Sequence, residues 1–361
     1  MLCDCGGKPM AMTPNTPFCV SLTADFFDAS GQIKYHDIGL DRIDCNRRFS
    51  VGRFDDHHPE ISPEQLSGVN GVVVLTPRVT THSLSQSSEL LVIARFGVGF
   101  DSVDVPACTA QDVVLCIATG AVDRPVAEAT VGWMLALTHH LRTKDRLVRE
   151  SRWGERSVFM GCELRERTLG VIGFGGIGRS LVKLLSNFGM NPPLVYDPFM
   201  TPSTVQEHGA TSVSLDELLT RADFVSIHCP LSEQTRNLIG DRELSMMKSS
   251  SYLINTARGG IVDESALAKA LASQSIAGAA LDCFVDEPLT SPTIFAQFEN
   301  VLLAPHCIAW TNEMFRDTGR TAFQSIIDLA AGITPKGVVN PEVLSRPGFL
   351  QKWNRLQHQS P

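Results

Sequence analysis

The stretch Gly173-Phe174-Gly175-Gly176-Ile177-Gly178 decides how this chain folds. It follows an apolar, β-prone run, Leu169-Gly170-Val171-Ile172, so the glycines stand where a buried strand turns into a helix. In a G-x-G-x-x-G loop the first glycine permits a tight turn, the second lets the backbone approach a pyrophosphate, and the third lets helix and strand pack closely. The helix start also offers N–H groups to an anion. We therefore predict a dinucleotide site formed by Gly173, Gly175, Gly176, Ile177 and Gly178.

Asp197 indicates which dinucleotide binds. It comes nineteen residues after Gly178, at the end of the strand-like run Leu194-Val195-Tyr196, where a carboxylate can accept both hydroxyls of a ribose. Pro198 and Phe199 follow, with no nearby Arg or Lys in the sequence for a 2′-phosphate. A chance match is possible in a chain with 28 glycines, but the strand before, the amphipathic helix after and Asp197 argue against it. The predicted cofactor is NAD.

The composition limits the other classes of function. With 361 residues, 43% of them hydrophobic and 19% charged, the chain suits a globular enzyme of two domains. The net charge of −8 and the lack of a basic stripe argue against nucleic acid and anionic membranes as partners. No apolar run reaches the roughly 20 residues of a membrane span, and the N-terminus does not resemble a secretory signal. We expect no nucleic-acid partner and no membrane partner.

The ten cysteines are scattered, which indicates reduced thiols and a cytoplasmic protein. Cys3 and Cys5 could hold a metal, but no second pair at zinc-like spacing accompanies them, so we expect no metal.

Strand-like runs alternate with helical stretches through most of the chain, which predicts an α/β fold with two doubly wound parallel sheets. We predict a disordered tail at 1–17, a discontinuous substrate-binding domain at 18–122 and 312–361 with a flavodoxin-like sheet, and a Rossmann domain at 123–311, with a cleft between the domains. Strands of the Rossmann domain are expected at 169–173, 193–197, 223–229, 251–255, 277–282 and 300–304. A long helix is expected over about 125–150, with Pro125 near its start.

Three polar side chains follow predicted strands of the second domain. Arg258 follows the strand ending in Asn255, Glu287 lies in Asp282-Cys283-Phe284-Val285-Asp286-Glu287, and His306 follows Ala304-Pro305. Ligands of open α/β sheets bind outside the carboxyl ends of the strands. Oxidation of a 2-hydroxy acid requires a guanidinium to hold the carboxylate, an imidazole to take the hydroxyl proton, and a carboxylate to orient that imidazole. Arg258, His306 and Glu287 match these roles.

These motifs together resemble the D-isomer-specific 2-hydroxyacid dehydrogenase family, which includes glycerate, hydroxypyruvate/glyoxylate and 3-phosphoglycerate dehydrogenases. The resemblance covers about 94–310. It implies a substrate loop at 94–101, an interdomain helix beginning near Val126-Ala127-Glu128, an adenine-flanking turn at His228-Cys229-Pro230-Leu231, and an arginine signature at 255–260. The residues that it assigns to substrate carboxylate binding are Val98 and Gly99. Those that it assigns to cofactor binding include His228, Pro230, Thr256, Ala257 and Asp282, the last as a partner of the nicotinamide carboxamide.

The resemblance also implies the D enantiomer and a homodimer formed through about 124–167. Two positions are open to more than one interpretation. Arg124 is either a contact for a second anionic group of the substrate or an exposed arginine at a helix start, and Trp310 either caps the substrate pocket or lies in an interface.

Two other functions are compatible with this fold. Formate-type hydride transfer is one, although its enzymes carry Gln where Glu287 stands. An NAD(H)-sensing corepressor or scaffold is the other. The interpretation that we favour is an NAD-dependent dehydrogenase for a small 2-hydroxy or 2-keto acid of the glycerate/hydroxypyruvate or 3-phosphoglycerate type.

Overall fold

The computed structural model describes residues 17–357, which form two units, each built on a parallel β-sheet. One unit combines Met1–Val122 with Thr311–Pro361, and the other is Asp123–Trp310. The expected disordered tail, apart from residue 17, lies outside the described residues, and so do Cys3 and Cys5.

The strands are β1 (Phe18–Leu22), β2 (Phe49–Arg53), β3 (Gly71–Val74), β4 (Val92–Arg95), β5 (Val114–Ile117), β6 (Leu169–Ile172), β7 (Leu194–Tyr196), β8 (Thr211–Ser212), β9 (Phe224–Ile227), β10 (Tyr252–Asn255), β11 (Gly278–Leu281) and β12 (Val301–Leu303). The helices are α1 (Val105–Ala110), α2 (Asp123–Thr138), α3 (Leu141–Arg149), α4 (Gly176–Leu185), α5 (Pro202–Glu207), α6 (Leu215–Arg221), α7 (Asp241–Met246), α8 (Glu264–Ala272), α9 (Asn312–Ala330) and α10 (Pro347–Gln357).

The sheet of the first unit has the strand order β2-β1-β3-β4-β5, with every pairing parallel. This is the flavodoxin-like order. Buried side chains of α1 share a core with β3, β4 and β5, while α9 also packs on these three strands. The chain end extends this sheet, because the Ile117 N–H donates to the Gly337 carbonyl and the Asn340 side chain accepts from the Leu115 N–H at 2.8 Å.

The sheet of the second unit has the order β12-β11-β10-β9-β6-β7-β8, again all parallel. The strand order reverses between β6 and β9, and such a switch point is where ligands of doubly wound sheets bind. One core cluster includes side chains of α2 and α4, and the other includes side chains of α6, α7 and α8. The predicted α/β class with two parallel sheets is confirmed.

The single helix expected over about 125–150 is wrong. The structure has two helices, α2 and α3, separated at His140, whose backbone is left-handed with φ 52°. At the break, the Thr138 carbonyl accepts from the Cys162 N–H at 3.0 Å instead of from the next turn of the same helix. Helix α2 begins at Asp123, which places Pro125 at its third residue.

Other differences concern marginal elements. The sequence pattern did not predict β2 or the two-residue β8, which are the edge strands at one end of each sheet. Helix α10 was not predicted either, since the chain end is polar and contains proline. No helix within 17–357 has the length and apolar composition to cross a bilayer.

Candidate active site

The glycine-rich loop between β6 and α4 has a separate geometric reason for each glycine. Gly173 has φ 90°, and a Cβ there would lie 2.6 Å from the Cys229 backbone nitrogen. A Cβ on Gly178 would lie 2.6 Å from the Gly173 carbonyl oxygen, so these two positions require glycine for the turn itself. A Cβ on Gly175 would meet no atom within 4 Å. The backbone at Gly175 is therefore open to close approach, as a pyrophosphate requires.

The structure gives Gly176 a contact that the sequence did not indicate. A Cβ on Gly176 would lie 2.0 Å from Asp123 Oδ2, so the glycine makes room for the carboxylate at the start of α2. Burial raises the pKa of Asp123. The first turns of α2 and α4 therefore pack closely, a relation between distant residues that no local pattern reveals.

Asp197 is fixed to the glycine-rich loop by its own carboxylate. Oδ2 accepts from the Phe174 N–H at 2.7 Å, and Oδ1 accepts from the Phe199 N–H at 2.9 Å. A carboxylate has about four acceptor sites, so both oxygens keep lone pairs for ribose hydroxyls. Arg179, on α4, donates to the Phe174 carbonyl at 3.1 Å.

Two buried polar atoms at the carboxyl edge of this sheet lack a hydrogen-bond partner among the described residues: His228 Nδ1, which follows β9, and Thr256 Oγ1, which follows β10. Buried polar atoms are nearly always paired in native structures, so this region fits a bound polar ligand. His228 Nε2 hydrogen bonds with Ser226 Oγ at 2.8 Å, and burial lowers the pKa of His228 to about 4. Pro230 is exposed two residues further on, where its carbonyl accepts from Thr235.

The turn after β10 holds Arg258 in a defined position. The Asn255 side chain spans this turn, accepting from the Ala257 N–H at 3.0 Å and donating to the Arg258 carbonyl at 2.8 Å. The guanidinium of Arg258 donates to the Ala257 carbonyl at 2.6 Å. The sequence contained Asn255, but nothing in its pattern showed that its amide closes the turn.

Glu287 and His306 form the central pair of the site. His306 Nδ1 lies 2.6 Å from Glu287 Oε2, and Glu287 Oε1 accepts from the Phe284 N–H at 2.7 Å. Burial alone would raise the pKa of Glu287. Hydrogen bonds from His306 and Phe284, with the charges of His306 and Arg258, outweigh burial and lower this pKa. Glu287 is therefore an ionised acceptor at neutral pH, and Arg258 is close enough to act on it.

Asp282 holds the loop that carries His306. It is 5% exposed, and its carboxylate accepts from the Cys307 N–H at 2.9 Å and the Ile308 N–H at 3.1 Å. The Asp282 carbonyl also accepts from the His306 N–H at 2.8 Å. Burial raises the pKa of Asp282, although these N–H groups act in the opposite direction. The structure thus gives Asp282 a positioning role, and its predicted nicotinamide contact stays a prediction.

The remaining predicted residues lie apart from this cluster in the chain. Val98 and Gly99 lie in the first unit, in the loop after β4, and their N–H groups donate to no other described residue. Arg124, on α2, pairs with Glu128 at 2.6 Å, one turn further along the helix. Trp310 is 51% exposed, and its backbone N–H donates to the Cys307 carbonyl.

Comparisons with known proteins identify the family of this chain. Residues 131–307 match the model of "D-isomer specific 2-hydroxyacid dehydrogenase, NAD binding domain". The chain is 35% identical over 289 residues to a glyoxylate reductase of Thermococcus litoralis, covering 78% of this chain and 87% of that protein. It is 38% identical to a D-3-phosphoglycerate dehydrogenase of a Synechocystis strain, covering 76% of this chain but only 49% of that protein. It thus spans about half the length of that relative.

Solved structures are also similar to this chain. A D-lactate dehydrogenase from Aquifex aeolicus, complexed with NAD and lactic acid, is 26% identical and has a TM-score of 0.74, covering 87% of this chain and 96% of that one. Together with the strand orders, these matches agree with the architecture described above.

Proposed function

The chain belongs to the D-isomer specific 2-hydroxyacid dehydrogenase family and is an NAD-dependent oxidoreductase, and we propose that its substrate is a small 2-keto acid of the glyoxylate, hydroxypyruvate or 3-phosphohydroxypyruvate type. The observation that carries the proposal is the hydrogen-bonded pair of Glu287 and His306 beside Arg258, at the carboxyl edge of the sheet that bears the glycine-rich loop. The family match supports catalysis rather than a sensing corepressor.

The residues around the loop fit NAD. The open backbone at Gly175, the start of α4 and the carboxylate of Asp197 offer partners for pyrophosphate and ribose, and His228 and Thr256 offer unpaired polar atoms. We propose Gly173, Gly175, Gly176, Ile177, Gly178, Asp197, His228, Pro230, Thr256, Ala257 and Asp282 as the cofactor-binding residues. The bound cofactor supplies or accepts the hydride.

His306 acts as the acid and base in the proposed mechanism. In reduction, the protonated imidazole donates to the carbonyl oxygen of the keto acid, and Glu287 stabilises the charged ring through Nδ1. In oxidation, the neutral ring takes the hydroxyl proton. A positioned acid or base of this kind contributes typically about 10²–10⁴-fold to the rate.

Arg258 and the loop at Val98 and Gly99 bind the carboxylate in this proposal. A guanidinium fixed by its own turn offers two parallel donors to a carboxylate. The N–H groups of Val98 and Gly99 have no other partner among the described residues, which leaves them for an anion. We accordingly propose the first unit as the substrate-binding domain and the second as the cofactor-binding domain. Arg124 and Trp310 stay candidates for the substrate side chain.

We also propose that the protein is a cytoplasmic homodimer. The eight cysteines that the structure describes are free thiols, a state that a reducing compartment maintains. Five large apolar side chains in the predicted dimer region are exposed: Leu141, Val148, Trp153, Val158 and Met160. Exposed apolar side chains clustered in one segment are typical of an interface.

The decisive experiment measures NADH oxidation with glyoxylate, hydroxypyruvate, pyruvate and 3-phosphohydroxypyruvate, using the wild type and His306→Ala. We expect turnover of one or more of these acids and its loss in the variant, while NADH binding, followed by fluorescence, is retained. Tight NADH binding without turnover of any acid would contradict the proposal and favour a sensing role.

A further inference from the structure

A cysteine lies within reach of the proposed catalytic pair. Cys283 follows β11 and is 3% exposed, whereas the side chains of Glu287 and His306 reach the surface. A thiol sulfur, a carboxylate oxygen and an imidazole nitrogen of these three residues lie within 4.8 Å of one another. Within 17–357 this is the one group of three or more such side chains that is close enough to hold a metal ion.

The three ligand atoms favour some metal cations over others. Thiolate and imidazole are ligands of Zn²⁺ and of other soft or borderline cations, whereas Mg²⁺ and Ca²⁺ require oxygen ligands. Bonds of about 2.0–2.3 Å to a tetrahedral cation place its ligand atoms roughly 3–4 Å apart. His306 Nδ1 and Glu287 Oε2, 2.6 Å apart, must separate slightly for both to bind the cation, and no two ligand atoms of the group are more than 4.8 Å apart, so the adjustments are small. The exposed side chain of His306 has room to make them. Three protein ligands leave a fourth position for water.

We propose that Cys283, Glu287 and His306 form a binding site for Zn²⁺ or a similar thiophilic divalent cation, and that occupancy of this site inhibits the enzyme. On binding, the Cys283 sulfur forms a bond to the cation and its proton passes to solvent. No electron is transferred.

Inhibition follows from what the cation does to His306. A cation on Nδ1 takes the place of the proton that is shared with Glu287. A cation on Nε2 occupies the nitrogen that would exchange a proton with the substrate. In either case His306 no longer carries a proton to or from the substrate. This consequence rests on the proposed function, whereas metal binding itself does not.

The first test uses Co²⁺ as a spectroscopic probe and requires no substrate. Titration of the purified protein with Co²⁺ should produce the near-ultraviolet absorption of a Co²⁺–thiolate bond, together with the visible bands of a four-coordinate site. Cys283→Ala and Cys283→Ser should lose the thiolate absorption, while His306→Gln should weaken Co²⁺ binding by at least about tenfold. Circular dichroism of each variant confirms that it is folded.

Cys307→Ala is the matched control, since this cysteine is the direct neighbour of His306 but lies outside the three-residue group. It should keep the thiolate absorption. The inference is overturned if millimolar Co²⁺ produces no such band in the wild type, or if the band persists in Cys283→Ala and Cys283→Ser.

The second test measures turnover with Zn²⁺. We expect Zn²⁺ to lower the rate at least about tenfold, in keeping with the loss of a general acid, and EDTA to restore it. Cys283→Ala should require a Zn²⁺ concentration at least about tenfold higher for the same fractional inhibition. Equal sensitivity of the two proteins would refute the inhibitory role. A Co²⁺–thiolate band that is lost in Cys283→Ala, in a protein that turns over no keto acid, would uphold the metal site and reject the proposed function.

Discussion

Glu287 shows how a single carboxylate controls a neighbouring imidazole. Its pKa is lowered although the group is partly buried, because His306, the Phe284 N–H and Arg258 all favour the ionised form. The carboxylate is therefore charged throughout the neutral range, and it is positioned to fix the tautomer of His306.

We predict that Glu287→Gln lowers kcat for keto-acid reduction by about 10²–10⁴-fold, because an amide cannot stabilise the protonated ring. NADH affinity should change little, and stopped-flow reduction with fluorescence titration measures both quantities. Asp286→Asn is the control, since it removes an adjacent exposed carboxylate. Equal losses in the two variants would contradict a specific role for Glu287.

The burial of His228 predicts how the stability of the protein depends on pH. Burial lowers its pKa in the folded protein to about 4, against an ordinary value of 6.5, so the unfolded chain takes up a proton at a higher pH than the folded chain does. This difference in the pKa of His228 does not lower the free energy of unfolding well above pH 6.5. The loss of unfolding free energy grows as the pH falls below 6.5. It is complete below about pH 4, where it reaches roughly 3 kcal/mol.

His228→Asn should remove this loss. Urea unfolding of the wild type and the variant at several pH values between 8 and 4 measures it, with the difference at pH 8 taken as the reference. Unfolding free energies that run parallel over the whole range would show that His228 does not titrate in this way.

Some residue roles were readable from the sequence and others were not. Glu287 and His306 follow neighbouring strands, so their meeting was predictable from the rule that parallel strands share a carboxyl edge. The contacts of Asp123 with Gly176, and of Asp282 with the His306 loop, depend on how distant segments approach one another. No local periodicity contains that information.

In the turn from β6 to α4, glycine is required at two positions for two different reasons. At Gly178 a side chain would collide with the Gly173 carbonyl, whereas at Gly175 it would meet only open space. The first position is needed for the fold, and the second is needed for the ligand.

We therefore predict opposite effects for two alanine substitutions. Gly178→Ala should destabilise the protein by about 1–3 kcal/mol through overpacking and lower its Tm. Gly175→Ala should leave the Tm nearly unchanged and weaken NADH binding, because the methyl group stands where the pyrophosphate approaches. Thermal unfolding and fluorescence titration of both variants test this. A large fall in the Tm of Gly175→Ala would contradict it.

The elements that could be predicted are those with a strong hydrophobic signal. Central strands such as β6 and β9 are short runs with every residue buried, and the sequence shows them clearly. The edge strand β2 is only partly buried and contains Ser50 and Gly52, so its pattern is weak. The break between α2 and α3 was missed. At this break the Thr138 carbonyl accepts from the Cys162 N–H, a contact between separate segments that no local pattern shows.

At the scale of the whole molecule, the exposed apolar side chains between α3 and β6 predict self-association. Trp153 is 61% exposed and Met160 is 80% exposed. Trp153→Glu combined with Met160→Glu should convert the proposed dimer into a monomer, which light scattering after gel filtration detects. Paired substitution of the exposed Phe199 and Leu350, which lie outside the predicted dimer region, is the control. A wild type that runs as a monomer would contradict the dimer.

The pairing of β5 with the end of the chain sets an order of assembly during synthesis. The Leu115 N–H donates to the side-chain oxygen of Asn340, 225 residues later. At about 5–20 residues per second, a ribosome needs roughly 10–45 seconds to supply that partner. The whole of Asp123–Trp310 emerges in that interval. The second unit can thus complete its sheet while β5, in the sheet of the first unit, is still an unpaired edge strand. Such an edge can pair with a strand of a neighbouring chain. The segment around Asn340 therefore protects a strand that is translated much earlier than the segment itself.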